Sequence, residues 1–187
     1  MRRIMVFNNI SLDGYFVDEN GQMNWAKDHQ DDEWKAFTED NASGQAVLLF
    51  GRVTYEMMVS FWPTPQAAQL MPKVAERMNS GPKLVFSRTL DKAEWNNTTL
   101  IKNDIVSAVR KMKSEPGDDM VIMGSGTIVS LFTEAGLIDE YQVVVNPVVL
   151  GKGRTMFEGV TEKLNLKLNR SRAFKNGNVF VSYDSVA

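Results

Sequence analysis

The chain has 187 residues, 43% of them hydrophobic and 24% charged, with a formal net charge of −2. That length buries a substantial core without disulfides or metal, so one domain over 1–187 is expected. The near-balanced charge gives no basic field for nucleic acid or an anionic membrane. The absence of cysteine excludes a disulfide framework and thiolate chemistry, and a single histidine, His29, leaves little for a zinc centre or a nucleophile–base pair; no metal site is expected.

Residues 3–10 read as an opening strand, ended by Ser11-Leu12-Asp13-Gly14. Their apolar run, 4–7, is too short for a signal peptide. Nothing approaches the ~20 apolar residues of a membrane span, so a cytoplasmic protein is expected. After a polar loop containing His29, acidic residues in a first turn and Trp34 and Phe37 on one face predict a helix over 31–41. Residues 46–50 make a second strand and 53–59 a helix, which Phe61-Trp62-Pro63-Thr64-Pro65 breaks. Pro72 opens a further helix to residue 78, stopped by Ser80-Gly81-Pro82.

Strands are expected over 83–86 and 98–101, then a helix capped by Asp104 and running through Lys113. A strand over 120–123, a helix over 127–135 with Gly136 as its C-cap, and a β-branched strand over 141–145 follow. The tail differs. Strand-like runs 164–174 and 179–183 flank Lys175-Asn176-Gly177-Asn178, and Asn-Gly there predicts a hairpin with both turn positions at positive φ. Strands alternating with helices, then a hairpin, give an α/β protein with a mostly parallel sheet and an antiparallel C-terminal edge.

Two strand-to-helix corners carry the functional signal. In Val47-Leu48-Leu49-Phe50-Gly51-Arg52-Val53-Thr54 and in Val121-Ile122-Met123-Gly124-Ser125-Gly126-Thr127-Ile128, an apolar strand ends at glycine and a helix starts at once. A helix start leaves backbone N–H groups unpaired and carries partial positive charge, so it receives phosphate. Two such corners suit one long anionic ligand, a nucleotide cofactor.

At these residues the sequence resembles the dihydrofolate reductase-like fold, and more closely the reductase half of the riboflavin-biosynthesis deaminase-reductase and its free-standing relatives. The resemblance rests on Ile10-Ser11-Leu12-Asp13-Gly14, Asn24-Trp25, Phe50-Gly51-Arg52-Val53-Thr54, Phe61-Trp62-Pro63, Ser87-Arg88, Met123-Gly124-Ser125-Gly126, Gly136-Leu137-Ile138-Asp139-Glu140 and the run from Asn146-Pro147 to Gly153-Arg154, in order from end to end. It implies a three-layer fold and a reductase using NADP(H) on a pteridine- or ribosylamino-pyrimidine-like ring, as a homodimer.

By the same resemblance Gly51, Arg52, Val53 and Thr54 hold pyrophosphate, with Arg52 toward the adenosine side. Ser87 and Arg88 meet the adenosine 2′-phosphate, for which a planar, permanently charged fork and a hydroxyl are suited. Gly124, Ser125, Gly126, Thr127 and Ile128 meet the cofactor's other half. Dihydrofolate reductases carry a cis Gly–Gly peptide there; Gly124-Ser125 stands in its place, and either isomer is open. Ile10 and the Ser11–Gly14 turn flank the nicotinamide, and Trp25 lies against the cofactor.

A substrate pocket is expected between Trp25, Trp34, Phe37 and Phe50, with Asp13, Glu33 or water as proton source. Two departures stand out: Lys35 falls where dihydrofolate reductases have an acid, and Met123 falls where the riboflavin-pathway enzyme has a glutamate. These absences leave two alternatives, a nucleotide-binding protein without turnover and a dimeric scaffold.

Overall fold

The computed structural model describes residues 1–27 and 31–186; His29 lies outside them. Eight strands form one sheet in the order β5-β4-β3-β6-β1-β7-β10-β9. They are β1 (Ile4–Ser11), β3 (Val47–Gly51), β4 (Lys83–Phe86), β5 (Thr98–Ile101), β6 (Met120–Met123), β7 (Glu140–Asn146), β9 (Leu166–Ala173) and β10 (Val179–Ser185). The six from β5 to β7 are mutually parallel, and β10 runs antiparallel to both β7 and β9. Mostly parallel sheet with an antiparallel C-terminal hairpin is the architecture expected.

The central strands read as unbroken apolar runs because both faces are covered. On one face Ile4, Val6, Leu49 and Ile122 pack with Val109 of α5 (Ile105–Ser114) and Val129 and Phe132 of α6 (Gly126–Glu134). On the other, Leu48, Phe50 and Val85 meet Tyr55 of α2 (Arg52–Phe61) and Val74 and Met78 of α4 (Pro72–Ser80). Farther along that face, Trp34 of α1 (Asp32–Ala42) packs on Val144, Phe174 and Phe180. No described helix is long and apolar enough to cross a membrane.

Local details differ from expectation. Helix α3 (Pro65–Leu70) occupies a stretch read as a break: Thr64 accepts from the Ala67 amide and Pro65 sits in the first turn, where a missing N–H costs nothing. Asp104 precedes α5 in a left-handed conformation, and its side chain makes no cap bond. The hairpin turn is also a different one. Only Gly177 has positive φ, Gly177 N–H bonds the Phe174 carbonyl, and the Phe174 amide bonds the Asn178 carbonyl. That is a three-residue loop with glycine at its left-handed position, not a two-residue turn. A small ribbon of β2 (Tyr15–Val17) and β8 (Arg154–Thr155) was not anticipated.

Candidate active-site cleft

Strands β3 and β6 are neighbours in parallel register, with Leu48 opposite Val121 and Leu49 opposite Ile122. Their carboxyl ends therefore finish side by side, and the helices that follow start from adjacent points. The two corners touch: a Cβ at Gly51 would fall inside the van der Waals shell of Ser125 Oγ, and one at Gly124 would stand 2.9 Å from Thr54 Cγ2. Gly124 (φ +65°) and Ser125 (φ +57°) are successive left-handed residues. Every described peptide bond is trans, including Gly124–Ser125.

Asn8, buried in the middle of β1, pins this corner. Its Oδ1 accepts from the Gly124 amide at 2.7 Å, while its Nδ2 approaches the Gly124 carbonyl at 3.5 Å. Sequence reasoning passed over Asn8, since an asparagine in an apolar strand signals only that some polar partner must be met.

Neither helix uses a side chain of its own to cap its start: α2 begins after Gly51 and α6 after Ser125, both without a side-chain cap bond. Both open on one cavity of about 290 Å³. Its wall contains Gly51, Arg52, Val53 and Thr54 from the first corner and Gly124, Ser125, Gly126, Thr127 and Ile128 from the second. Phe16, Met23, Met57 and Arg154 are also in the wall and were missed; Met57 falls one turn beyond Val53, and Arg154 lies in the Gly153-Arg154 run. Arg52 is held by Glu56 at 2.9 Å and Arg154 by Glu158 at 3.2 Å, so the cleft's cations carry partners that a stronger anion can displace.

Ser87 follows Phe86, another wall residue, and its Oγ accepts from the Thr89 and Leu90 amides, shaping a turn that leaves Arg88 exposed. Ile10 and Trp25 are not among the described wall residues; Ile10 packs against the core and buried Trp25 donates its Nε1–H to the Gln22 carbonyl at 3.3 Å.

The expected substrate wall is corrected. Phe50 is 0% exposed and stacks on Trp95 at 6.2 Å, so it cannot border a pocket. Trp34 and Phe37 are consumed by packing: their rings lie 5.1 and 5.0 Å from that of Phe174. The hairpin claims the apolar face of α1. A second cavity, about 300 Å³, lies instead on the next turns of α1, at Thr38 and Asn41, against Met5, Phe7 and Met123 of the sheet. Strict alternation along β1 and β6 was the available signal for these sheet residues.

Both expected acids are engaged. Asp13 accepts from the Leu150 amide at 3.1 Å and the Gly151 amide at 2.7 Å. The Ser11 hydroxyl, then these amides, hold its carboxyl below the ordinary aspartate range. Glu33 accepts from Arg172 at 2.8 Å and from the Lys175 amide at 3.3 Å, and these bonds, Arg172 foremost, lower its pKa as well.

A family model described as the RibD C-terminal domain matches residues 2–180. The chain belongs to the RibD C-terminal domain family. The chain is 30% identical over 182 residues to the uncharacterized protein YyaP of Bacillus subtilis strain 168, covering 97% of this chain and 94% of that one. It is 25% identical over 173 residues to YwjB of the same organism, covering 92% of each. Among solved structures, a protein provisionally described as a riboflavin biosynthesis protein, from Shewanella sp. PV-4, superimposes with a TM-score of 0.73 at 22% identity over 99% of both chains. The Thermotoga maritima diaminohydroxyphosphoribosylaminopyrimidine deaminase/5-amino-6-(5-phosphoribosylamino)uracil reductase gives 0.71 at 15% identity, with 99% of this chain covering 57% of that one. These likenesses establish the dihydrofolate reductase-like fold.

Proposed function

We propose that this protein is an NADPH-dependent reductase passing a hydride to a small flat nitrogen heterocycle of pyrimidine or pteridine type. One observation carries the reading: two helix starts, neither capped by its own side chain, open on a single cavity. Glycines 51 and 124 let the corners close on each other, with the Ser125 and Thr54 side chains in the space between them, and the uncapped helix-start amides of α2 and α6 are the groups that would receive a pyrophosphate. Arg88, exposed beyond β4, supplies the fork for a 2′-phosphate.

The bound dihydronicotinamide would supply the hydride. The chain's own part is to orient and to exclude water. Asn8 fixes the Gly124 peptide, Phe16 lies against Gly126, and Asp13 ties the 150–151 segment to the end of β1. Asp13 and Glu33, both held ionised, keep their hydrogen-bonding roles, and solvent delivers the proton that balances hydride addition to a C=N bond. The exposed edge strand β9, with Leu166 and Leu168 at its surface, supports pairing as a homodimer, which sedimentation as a single 21.1 kDa species would contradict.

Titrating the protein with NADPH, NADH and FMN while following thermal unfolding tests the nucleotide. NADPH at one hundred times its Kd should add about 2.7 kcal/mol of stability. No shift at millimolar NADPH would overturn the reading. Steady NADPH oxidation across a panel of pterins and pyrimidines separates turnover from mere binding.

A further inference from the structure

Two buried asparagines at the far side of the sheet belong to neither cavity. Asn146, the last residue of β7, is 0% exposed, and Asn178, the residue before β10, is 1% exposed. They face each other. Strand β10 pairs antiparallel to β7 with Val179 opposite Val145 and Phe180 opposite Val144. That register sets Asn178 opposite Asn146, on the face that Val144 and Phe180 share beneath α1. Directly opposed side chains on one face have Cβ atoms about 4.5–5.5 Å apart.

The direction of the Asn146 amide is fixed. Its Nδ2 is ringed by three acceptors: Asn9 Oδ1 at 3.2 Å, the Ile10 carbonyl at 3.3 Å and the Val144 carbonyl at 3.2 Å. Exchanging oxygen and nitrogen would set oxygen against oxygen, so Oδ1 points away from all three. Asn178 is anchored through its backbone. Its amide donates to Asn176 Oδ1 at 3.0 Å, and its carbonyl accepts from the Phe174 amide at 2.9 Å.

Among the described residues, Asn146 Oδ1 and both amide atoms of Asn178 meet no hydrogen-bond partner. Buried polar atoms left so cost a large share of a domain's narrow stability margin. The mixture of groups selects the ligand. A cation would satisfy the two oxygens and be repelled by the Asn178 amide hydrogens. An anion would reverse the problem. Water both accepts and donates, and buried water commonly makes about three hydrogen bonds to groups of this kind.

We propose that the Asn146–Asn178 pair is a binding site for internal water, which accepts from Asn178 Nδ2 and donates to Asn146 Oδ1 and Asn178 Oδ1. The site roots a segment of the cleft's surroundings. The Val148 amide bonds the Asn146 carbonyl at 2.8 Å, the Leu12 amide bonds the Val148 carbonyl at 2.8 Å, and Asp13 holds the Gly151 amide. Water at this site joins the tip of the C-terminal hairpin to the start of that segment.

The test is the sign of a stability change. Replacing an unpaired buried amide by an apolar side chain of similar size raises stability, whereas replacing one that holds water lowers it. Asn178→Leu should therefore lower the urea midpoint; a raised or unchanged midpoint overturns the inference. In the native, isotope-labelled protein, the side-chain NH2 of Asn178 should cross-relax with water in the sense that marks a long-lived bound molecule, and only the sense of fast surface solvent would overturn the inference as well. That measurement needs no variant, so it decides the matter even if Asn178→Leu does not fold. Exchanging sodium chloride for potassium or choline chloride at equal ionic strength should leave the native midpoint where it is. A shift present in the native protein and absent from Asn178→Leu would assign the site to a cation and overturn the inference.

Discussion

Gly51, the last residue of β3, lies against Ser125, the residue before α6: a Cβ at position 51 would meet the Ser125 hydroxyl and stand 3.3 Å from the Ser125 Cβ. Gly51→Ala should drive the corners apart, costing about 1–3 kcal/mol of stability through overpacking and weakening NADPH binding along with it. Ser125→Gly removes the obstructing hydroxyl and, because Ser125 sits at φ +57°, relieves left-handed strain of about 1 kcal/mol. The double variant should recover both fold stability and nucleotide affinity. Urea denaturation and calorimetric titration of the three variants check this, and no rescue would mean the contact does not set the width of the cleft.

Asn8→Leu should be more damaging than its position in an apolar strand suggests. It leaves the Gly124 amide, buried and bonded at 2.7 Å, without an acceptor, a loss of about 1–3 kcal/mol. Nucleotide affinity should fall in parallel, because the second corner is what that bond holds in place. A stable Asn8→Leu protein with unchanged NADPH affinity would refute the positioning role.

Arg88→Ala should weaken NADPH binding by about 1–3 kcal/mol and leave NADH binding nearly as it was. Equal losses for the two nucleotides would remove Arg88 from the 2′-phosphate site.

Lys83 offers a pH test unrelated to catalysis. Its buried ammonium donates to the carbonyls of Met78, Asn79 and Gly81 at 2.9, 3.3 and 2.6 Å, closing the end of α4, and lies 4.6 Å over the Trp95 ring. Burial, with Arg77 adding to it, pulls its pKa from 10.5 down to about 8. Between these values the folded chain has released a proton that the unfolded chain still holds. Stability from this group therefore rises with pH across that interval. The urea midpoint of the native protein, measured against Lys83→Met, should climb from pH 8 to pH 10. A flat difference would mean that Lys83 keeps its charge in the fold.

Glu33→Gln separates structure from chemistry on the acid side. The folded carboxyl titrates below its unfolded value, so its contribution is present above the unfolded pKa and fades as pH falls through the folded one. Native protein should lose more stability than Glu33→Gln on acidification, while the pH dependence of kcat stays the same in both. A changed kcat profile would return Glu33 to the proton-transfer step.

The two glycine corners were legible because their information is local. An apolar run such as Val47-Leu48-Leu49-Phe50, closed by glycine and followed by a helical pattern, defines a buried strand, a tight bend and a helix start within ten residues. The packing of Trp34 and Phe37 was not legible, because it depends on which way α1 faces, and that is decided from far away. Glu33 is bonded to Arg172, 139 residues on, and Trp34 packs edge-on to Phe174. Helical periodicity identified the apolar face of α1 but not the surface that would claim it. The hairpin showed the same limit on a smaller scale: Asn-Gly announced a reversal, yet the Phe174–Asn178 pairing chose a loop in which Asn176 keeps negative φ.

Adjacency of β3 and β6 has an evolutionary corollary. The two helix starts follow neighbouring strands joined by a hydrogen-bonded ladder, whose strands lie about 4.8 Å apart, so the sheet itself brings the corners together. Pocket-lining side chains on α1 and α4 answer to no such ladder and are free to diverge. On the proposed function, a lineage built on this scaffold would keep its dinucleotide while exploring new substrates, which makes redox partner an inherited trait and ring preference an acquired one.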